Sequence, residues 1–155
     1  MNRFPTFLGD FTDAVAFSPL GKYAMTQGHT VFKGVIASAI VLLDASSGRE
    51  AGRFPGREFF QSIVSPDELY LLTAGYEDVV SMWDLRSGKQ VRTFSGNKVN
   101  SIRSDYIQSI SLSPSGKYVL CVGGDNVTRL WDAKTGQLTR KWFFGLVADQ
   151  ERRVH

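Results

Sequence analysis

Apolar and β-branched residues gather along this chain in short runs separated by turns of Ser, Pro, Gly and Asp. "DAVAFSP" (13–19), "QSIVSP" (61–66) and "QSISLSP" (108–114) are strand-prone segments that each end at a Ser-Pro turn. Second strands follow in "GKYAMT", "DELYLLT" and "GKYVLCV". The third set, "SAIVLLD", "VVSMWD" and "VTRLWD", is bulky and β-branched, as suits a buried strand. After "ASSG", "LRSG" and "AKTG" come "REAGRF", "KQVRTF" and "QLTRKWF", which are richer in Arg and Lys, as an outer edge strand should be. No segment shows the 3.6-residue period of an amphipathic helix. The pattern predicts an all-β meander of four strands per unit and three units.

The units can be counted. Ser-Pro falls at 18–19, 65–66 and 113–114, at intervals of 47 and 48. Asp44, Asp84 and Asp132 close the third strands at intervals of 40 and 48, and Gly48, Gly88 and Gly136 repeat those intervals. A period in the forties built from short strands indicates a propeller or another stacked array. A single unit cannot bury its apolar faces, so each must lean on its neighbours. The expected organisation is one domain, 1–155, with blades at approximately 11–54, 57–94 and 106–143.

The segments "SISLSPSGKYVLCVGGDNVTRLWDAKTG" and "SIVSPDELYLLTAGYEDVVSMWDLRSG" resemble WD-repeat β-propeller proteins, and the resemblance extends over about residues 4–144. It implies a non-catalytic scaffold or adaptor for protein–protein interaction. It also implies that the indoles of Trp83 and Trp131 are tied to three groups: a Ser or Thr on the second strand, a His before the first strand and an Asp before the third. Asp125, six residues before Trp131, matches the last position, and Glu77 with Asp78 stands there in the second unit. The family's Gly-His is missing: the nearest equivalents are Gly9-Asp10, Gly56-Arg57 and Ile102-Arg103. Leu43 replaces the Trp of the first unit. A small-ligand or carbohydrate-binding propeller assembled from several chains is the alternative function.

The corner residues have a structural reading of their own. A short acceptor at Asp44, Asp84 and Asp132 can bind turn N–H groups, while Gly48, Gly88 and Gly136 adopt positive φ at little cost. Catalytic motifs are missing: the chain has no His-Glu-x-x-His, no Cys-x-x-Cys and no phosphate loop, and it contains two His in all. No catalytic residue, metal or cofactor is expected. Cys121, the single cysteine, falls in a predicted buried strand and reads as a small hydrophobe.

Composition adds little to this picture. At 43% hydrophobic and 21% charged residues the chain is globular in type. Its net charge of +3 is spread over scattered Arg and Lys, which disfavours a nucleic-acid partner. One cysteine excludes an intrachain disulfide and suits a reducing compartment. No apolar run approaches the roughly 20 residues of a membrane span, and "MNRFPTFLGD" lacks a signal-peptide core. The expectation is a soluble cytoplasmic protein with no membrane partner.

Unit lengths locate a candidate interaction surface. From Ser-Pro to the corner Asp takes 25 residues in the first unit and 18 in the others, with the excess around "QGHTVFKG". From the corner Asp to the next Ser-Pro takes 22 residues and then 30, with the excess around "GNKVNSIRSDY". In a meander both insertions fall at the same end of the blades, the end that binds partners in the family. His29, Phe32, Lys33, Arg57, Arg103, Asp105 and Tyr106 are the expected contacts for a protein or peptide, a mixture of Arg and aromatics that suits an interface.

Ring closure is the remaining expectation. "RFPTFLG" (3–9) resembles the outer strands and predicts a leading fourth strand. Closed propellers need about 4–8 blades, so three are expected to be open or completed by other chains. Further blades of a longer protein would close the ring, as would self-association. The unequal blades weigh toward the former.

Overall fold

The computed structural model of the chain describes residues 11–56, 59–75, 79–95 and 106–143. It contains three four-stranded antiparallel sheets, each a simple meander. Blade 1 comprises β1 (Phe11–Phe17), β2 (Tyr23–Phe32), β3 (Val35–Asp44) and β4 (Glu50–Gly56). Blade 2 comprises β5 (Phe59–Val64), β6 (Tyr70–Gly75), β7 (Val80–Asp84) and β8 (Gln90–Phe94). Blade 3 comprises β9 (Ile107–Leu112), β10 (Tyr118–Gly123), β11 (Val127–Asp132) and β12 (Leu138–Phe143). The predicted leading strand at 3–9 lies outside the described residues. No helix among the described residues is long and apolar enough to cross a membrane.

The repeating turn residues set a common register. Tyr23 pairs with Asp44, Tyr70 with Asp84 and Tyr118 with Asp132. At each Ser-Pro turn the Ser N–H donates to the carbonyl of that Tyr, at 2.8–2.9 Å. The Ser Oγ accepts from the Tyr N–H, at 2.9–3.0 Å. Ser18, Ser65 and Ser113 therefore close both directions of the β-turn, which leaves the following Pro free to lack a donor.

The core lies between the sheets. Met25, Ile40, Leu42 and Phe54 of blade 1 pack against Val64 and Leu71 of blade 2, with Tyr23, Trp83 and Leu85 around them. The opposite face of blade 2, with Leu72, Ala74, Val80, Met82 and Phe94, packs against Ile107, Ile110, Val119, Cys121 and Trp131 of blade 3. Strand alternation explains the division: Leu71 and Trp83 point one way, Leu72 and Met82 the other. The outermost strand β12 is exposed along its whole length.

One element differs from expectation. The extra residues of the first unit do not form a loop. They lengthen β2 and β3 into a hairpin of ten paired positions, where β6–β7 and β10–β11 have five each. A two-residue turn closes it, with Lys33 at φ 49° and Gly34 at φ 77°. Two successive positive φ values give the turn whose twist matches a hairpin. Among the described residues β1 pairs only as far as His29 and β4 only as far as Ser38, so the last three pairs, Thr30–Ala37 to Phe32–Val35, have no described strand beside them.

Candidate functional site

The Trp-Asp corners are built as structural caps. Asp44 Oδ1 accepts from the N–H groups of Ser46 and Ser47, at 3.0 and 2.8 Å, and from both hydroxyls, at 2.6 and 2.9 Å. These bonds, that of the Ser46 hydroxyl foremost, lower its pKa to about 2. Asp84 takes the Ser87 N–H and Asp132 those of Lys134 and Thr135, and both carboxyls lie below the usual range for that reason. A depressed carboxylate pKa stabilises the fold above the ordinary carboxylate range, and that contribution is lost as pH falls through the folded-state value. Gly48, Gly88 and Gly136, at φ 70–75°, each donate back to the corner Asp carbonyl at 2.8 Å.

Both indoles are anchored through the preceding strand. Trp83 Nε1 donates to Thr73 Oγ1 at 3.0 Å, while Trp131 Nε1 donates to Cys121 Sγ at 3.4 Å. Cys121 thus holds the position that the resemblance gives to Ser or Thr, and is an acceptor as well as an apolar filler. Its burial raises the thiol pKa, which disfavours the thiolate. Asp125 serves a different partner from the one the resemblance implied. Its carboxylate grips the Arg129 guanidinium through two bonds, 2.6 and 3.1 Å, and accepts the Val127 N–H at 3.0 Å. The two side chains are only 5% and 6% exposed. Burial alone would raise the Asp125 pKa, but the guanidinium and the N–H outweigh it and the net shift is downward. Arg129 Nε is buried with no partner. The alternation Val127-Arg129-Trp131 marked this arginine as inward-facing.

The described members of the predicted partner set lie on two blades, His29, Phe32 and Lys33 on blade 1 and Tyr106 beside blade 3. His29 lies on β2, its Nδ1 2.6 Å from Asp13 Oδ2 on β1. Phe32 and Lys33 stand at the hairpin tip, where Lys33 is exposed. Tyr106 precedes β9, half-buried, its carbonyl accepting the Gly124 N–H at 2.9 Å and its hydroxyl bonded to Gln108 Nε2 at 3.4 Å. Blade 2 separates it from the hairpin. Arg57, Arg103 and Asp105 lie outside the described residues, as do Glu77 and Asp78. Among the described residues no group of three or more His, Cys, Asp or Glu could hold a metal ion.

Sequence reasoning missed Glu68. It stands third after the turn Ser, where the other blades have Gly21 and Gly116 at φ 76° and 73°, and it adopts φ 58° itself. Its carboxylate reaches into blade 1, accepting from Ser18 Oγ, from the Leu20 N–H at 2.9 Å and from the Lys22 N–H at 3.4 Å. Blades 2 and 3 need no such clasp. There Asp67 accepts from Ser65 Oγ and the Leu69 N–H, at 2.5 and 3.1 Å, and Ser115 receives the Lys117 N–H at 3.3 Å. Leu20 has no acceptor to offer at the same position, so the next blade supplies one. A side chain at a position that demands positive φ was the available signal.

Between blades 2 and 3, at the end opposite the hairpin, lies a half-open cleft of about 360 Å³. It opens where Gly116 and Ala133 stand in the places of Glu68 and Leu85, and it is bounded by Tyr70, Met82, Arg92 and Leu112.

Residues 88–132 match the family model described as "WD domain, G-beta repeat". Over this stretch the chain is similar to a WD40 repeat. The whole described architecture is that of WD40 propeller blades. Two solved structures share the fold, each with a TM-score of 0.68 at 14% identity over 85% of this chain. Their titles are "Crystal structure of RRP9 WD40 repeats" and "Structure of U3-55K". The chain spans 38% and 39% of their lengths. No curated protein sequence matches it.

Proposed function

We propose that the chain is a non-catalytic scaffold that presents the hairpin end of its WD40 blades to a protein or peptide partner. The ten-pair β2–β3 hairpin carries this reading, since it doubles the length of its counterparts and ends in three pairs that, among the described residues, have no strand on either side. Unpaired backbone N–H and C=O groups along such an arm are a ready template for an added strand. Exposed Lys33 and Val35 at the tip add charge and apolar surface to the recognition. The corner aspartates and both indoles are engaged in capping and packing, which supports a structural role for them. The single buried thiol of Cys121 suits the reducing cytoplasm. The proposal includes self-association through the outward flanks of the end blades.

Replacing residues 28–39 by a five-residue turn, to match the hairpins of blades 2 and 3, tests the partner reading. Proteins cross-linked by the wild-type chain in a cell extract should be lost with this variant and kept by Lys134→Glu at the opposite end. An unchanged set of cross-linked proteins would refute it.

A further inference from the structure

We infer that the outward flank of blade 3 docks the outward flank of blade 1 from a second copy, so that two chains close one six-bladed ring. The inference deepens the self-association part of the proposed function and rests on it, but not on any partner at the hairpin. Two copies of the three described sheets make six blades, inside the range of about 4–8 in which propellers close.

The two internal junctions define what a blade needs from its neighbour, and the two outer flanks carry matching halves of the same set. Inside the chain the earlier blade supplies a Phe and the later one a Trp: Phe54 meets Trp83 at 5.7 Å between ring centroids, and Phe94 meets Trp131 at 6.0 Å. By register, Trp142 holds the Phe position on blade 3, and Leu43 holds the Trp position on blade 1. The indole has changed sides, so the pair keeps one large and one smaller member. A second match, which follows the junction of blades 2 and 3 and not that of blades 1 and 2, where Gly52 stands at the arginine's position, concerns the outer strand. Arg92 of blade 2 lies across Gly136 of blade 3, its Cδ 3.2 Å from where a β-carbon would stand. Arg140 is its equivalent on blade 3, and Gly48 is the equivalent of Gly136 on blade 1.

The turns match as well. Leu20, which cannot cap its own turn, is followed by the clasp Glu68, whereas self-capped Asp67 is followed by Gly116. Blade 3 caps itself with Ser115, so the blade after it needs no clasp, and blade 1 offers Gly21 at that place. Several of the exposed large apolar side chains lie on these flanks. Leu72 and Phe94 are fully buried, while their counterparts Leu120 and Trp142 are each 38% exposed. Val64 is 8% exposed and its counterpart Phe17 is 74% exposed. Apolar surface of this kind on two complementary flanks marks an association site. The contact is head-to-tail, and closure at two copies prevents open-ended growth.

Light scattering on a sizing column reads the outcome. The wild-type chain should run at twice its 17.2 kDa, independent of concentration in the micromolar range. Trp142→Glu and Phe17→Glu should each be monomeric, because every junction in the ring uses one of each flank. Mixing the two variants should restore a dimer through the one junction that joins their unaltered flanks. Leu120→Lys and Val15→Lys, also at exposed positions, replace any variant whose far-UV spectrum shows loss of fold. A monomeric wild-type chain, a mass that grows with concentration, or a Phe17→Glu variant that stays dimeric would each overturn the inference. Shortening the hairpin should leave the mass unchanged, so a failed partner experiment does not bear on this one.

Discussion

The junction between blades 1 and 2 and that between blades 2 and 3 use the same aromatic contact and secure it in different ways. At the first, Glu68 crosses the gap and caps the Leu20 turn, and Leu85 fills the space beside Tyr23. At the second, Gly116 and Ala133 leave that space as a cleft. The attachment has moved elsewhere: Gln61 accepts the Ile110 N–H at 2.6 Å between the inner strands, and Arg92 covers Gly136 at the outer edge. The aromatic pair sets the spacing of neighbouring blades, while the polar contacts are interchangeable provided that every buried donor finds an acceptor.

Blade 3 also carries the buried Asp125–Arg129 pair, where β7 of blade 2 has Ser81 at the arginine's position. Asp125→Ala would strand a buried guanidinium whose Nε already lacks a partner, and loss of one member of a buried pair costs about 3–5 kcal/mol. Urea denaturation should show a loss of this size. Adding Arg129→Ser, the residue of blade 2, should recover most of it, because the stranded charge is what destabilises. A double variant no more stable than Asp125→Ala would mean that the pair itself holds blade 3 together.

The clasp should have a smaller effect. Glu68→Gly installs the residue of the other two turns and relaxes the positive φ, so any loss of stability belongs to the carboxylate. Hydrogen bonds to charged groups contribute about 1.5–3 kcal/mol, and a loss of about 2 kcal/mol is expected from the denaturation midpoint. Leu20→Asp in that background copies Asp67 of blade 2 and should restore most of the stability by capping the turn from within. If it restores nothing, Glu68 acts by joining the blades and the capping comparison fails.

The parts of this architecture written in local turn chemistry were legible beforehand. Ser-Pro turns, corner aspartates and positive-φ glycines recur at fixed spacing because each serves its own blade. The contacts between blades were not, since no short-range pattern says where Glu68, Gln61 or Arg92 will reach. The hairpin was half legible: its extra length was counted, but Lys33-Gly34 between the apolar pairs Val31-Phe32 and Val35-Ile36 was a turn signal pointing to paired strands. Asp125 lies in the turn before β11, and its partner Arg129 follows from tertiary burial and from strand alternation, and not from the family pattern.

The cleft gives the smallest and most discriminating test of the comparison. Ala133 occupies the place of Leu85, and Ala133→Leu would extend a branched side chain toward Tyr70, Met82 and Leu112. Each newly buried CH₂ contributes about 0.8 kcal/mol when fully covered, and a half-open cleft covers such a side chain incompletely. A gain of about 1 kcal/mol is therefore expected, read as a higher denaturation midpoint with an unchanged slope. A loss of about 1 kcal/mol or more would indicate overpacking. The space between blades 2 and 3 would then be closed by motions of the Arg92 and Lys134 side chains, and the two junctions would be equally filled by different means. A gain would instead show that the second junction tolerates an unfilled volume because its polar attachments lie at the inner and outer edges, leaving the middle free to vary.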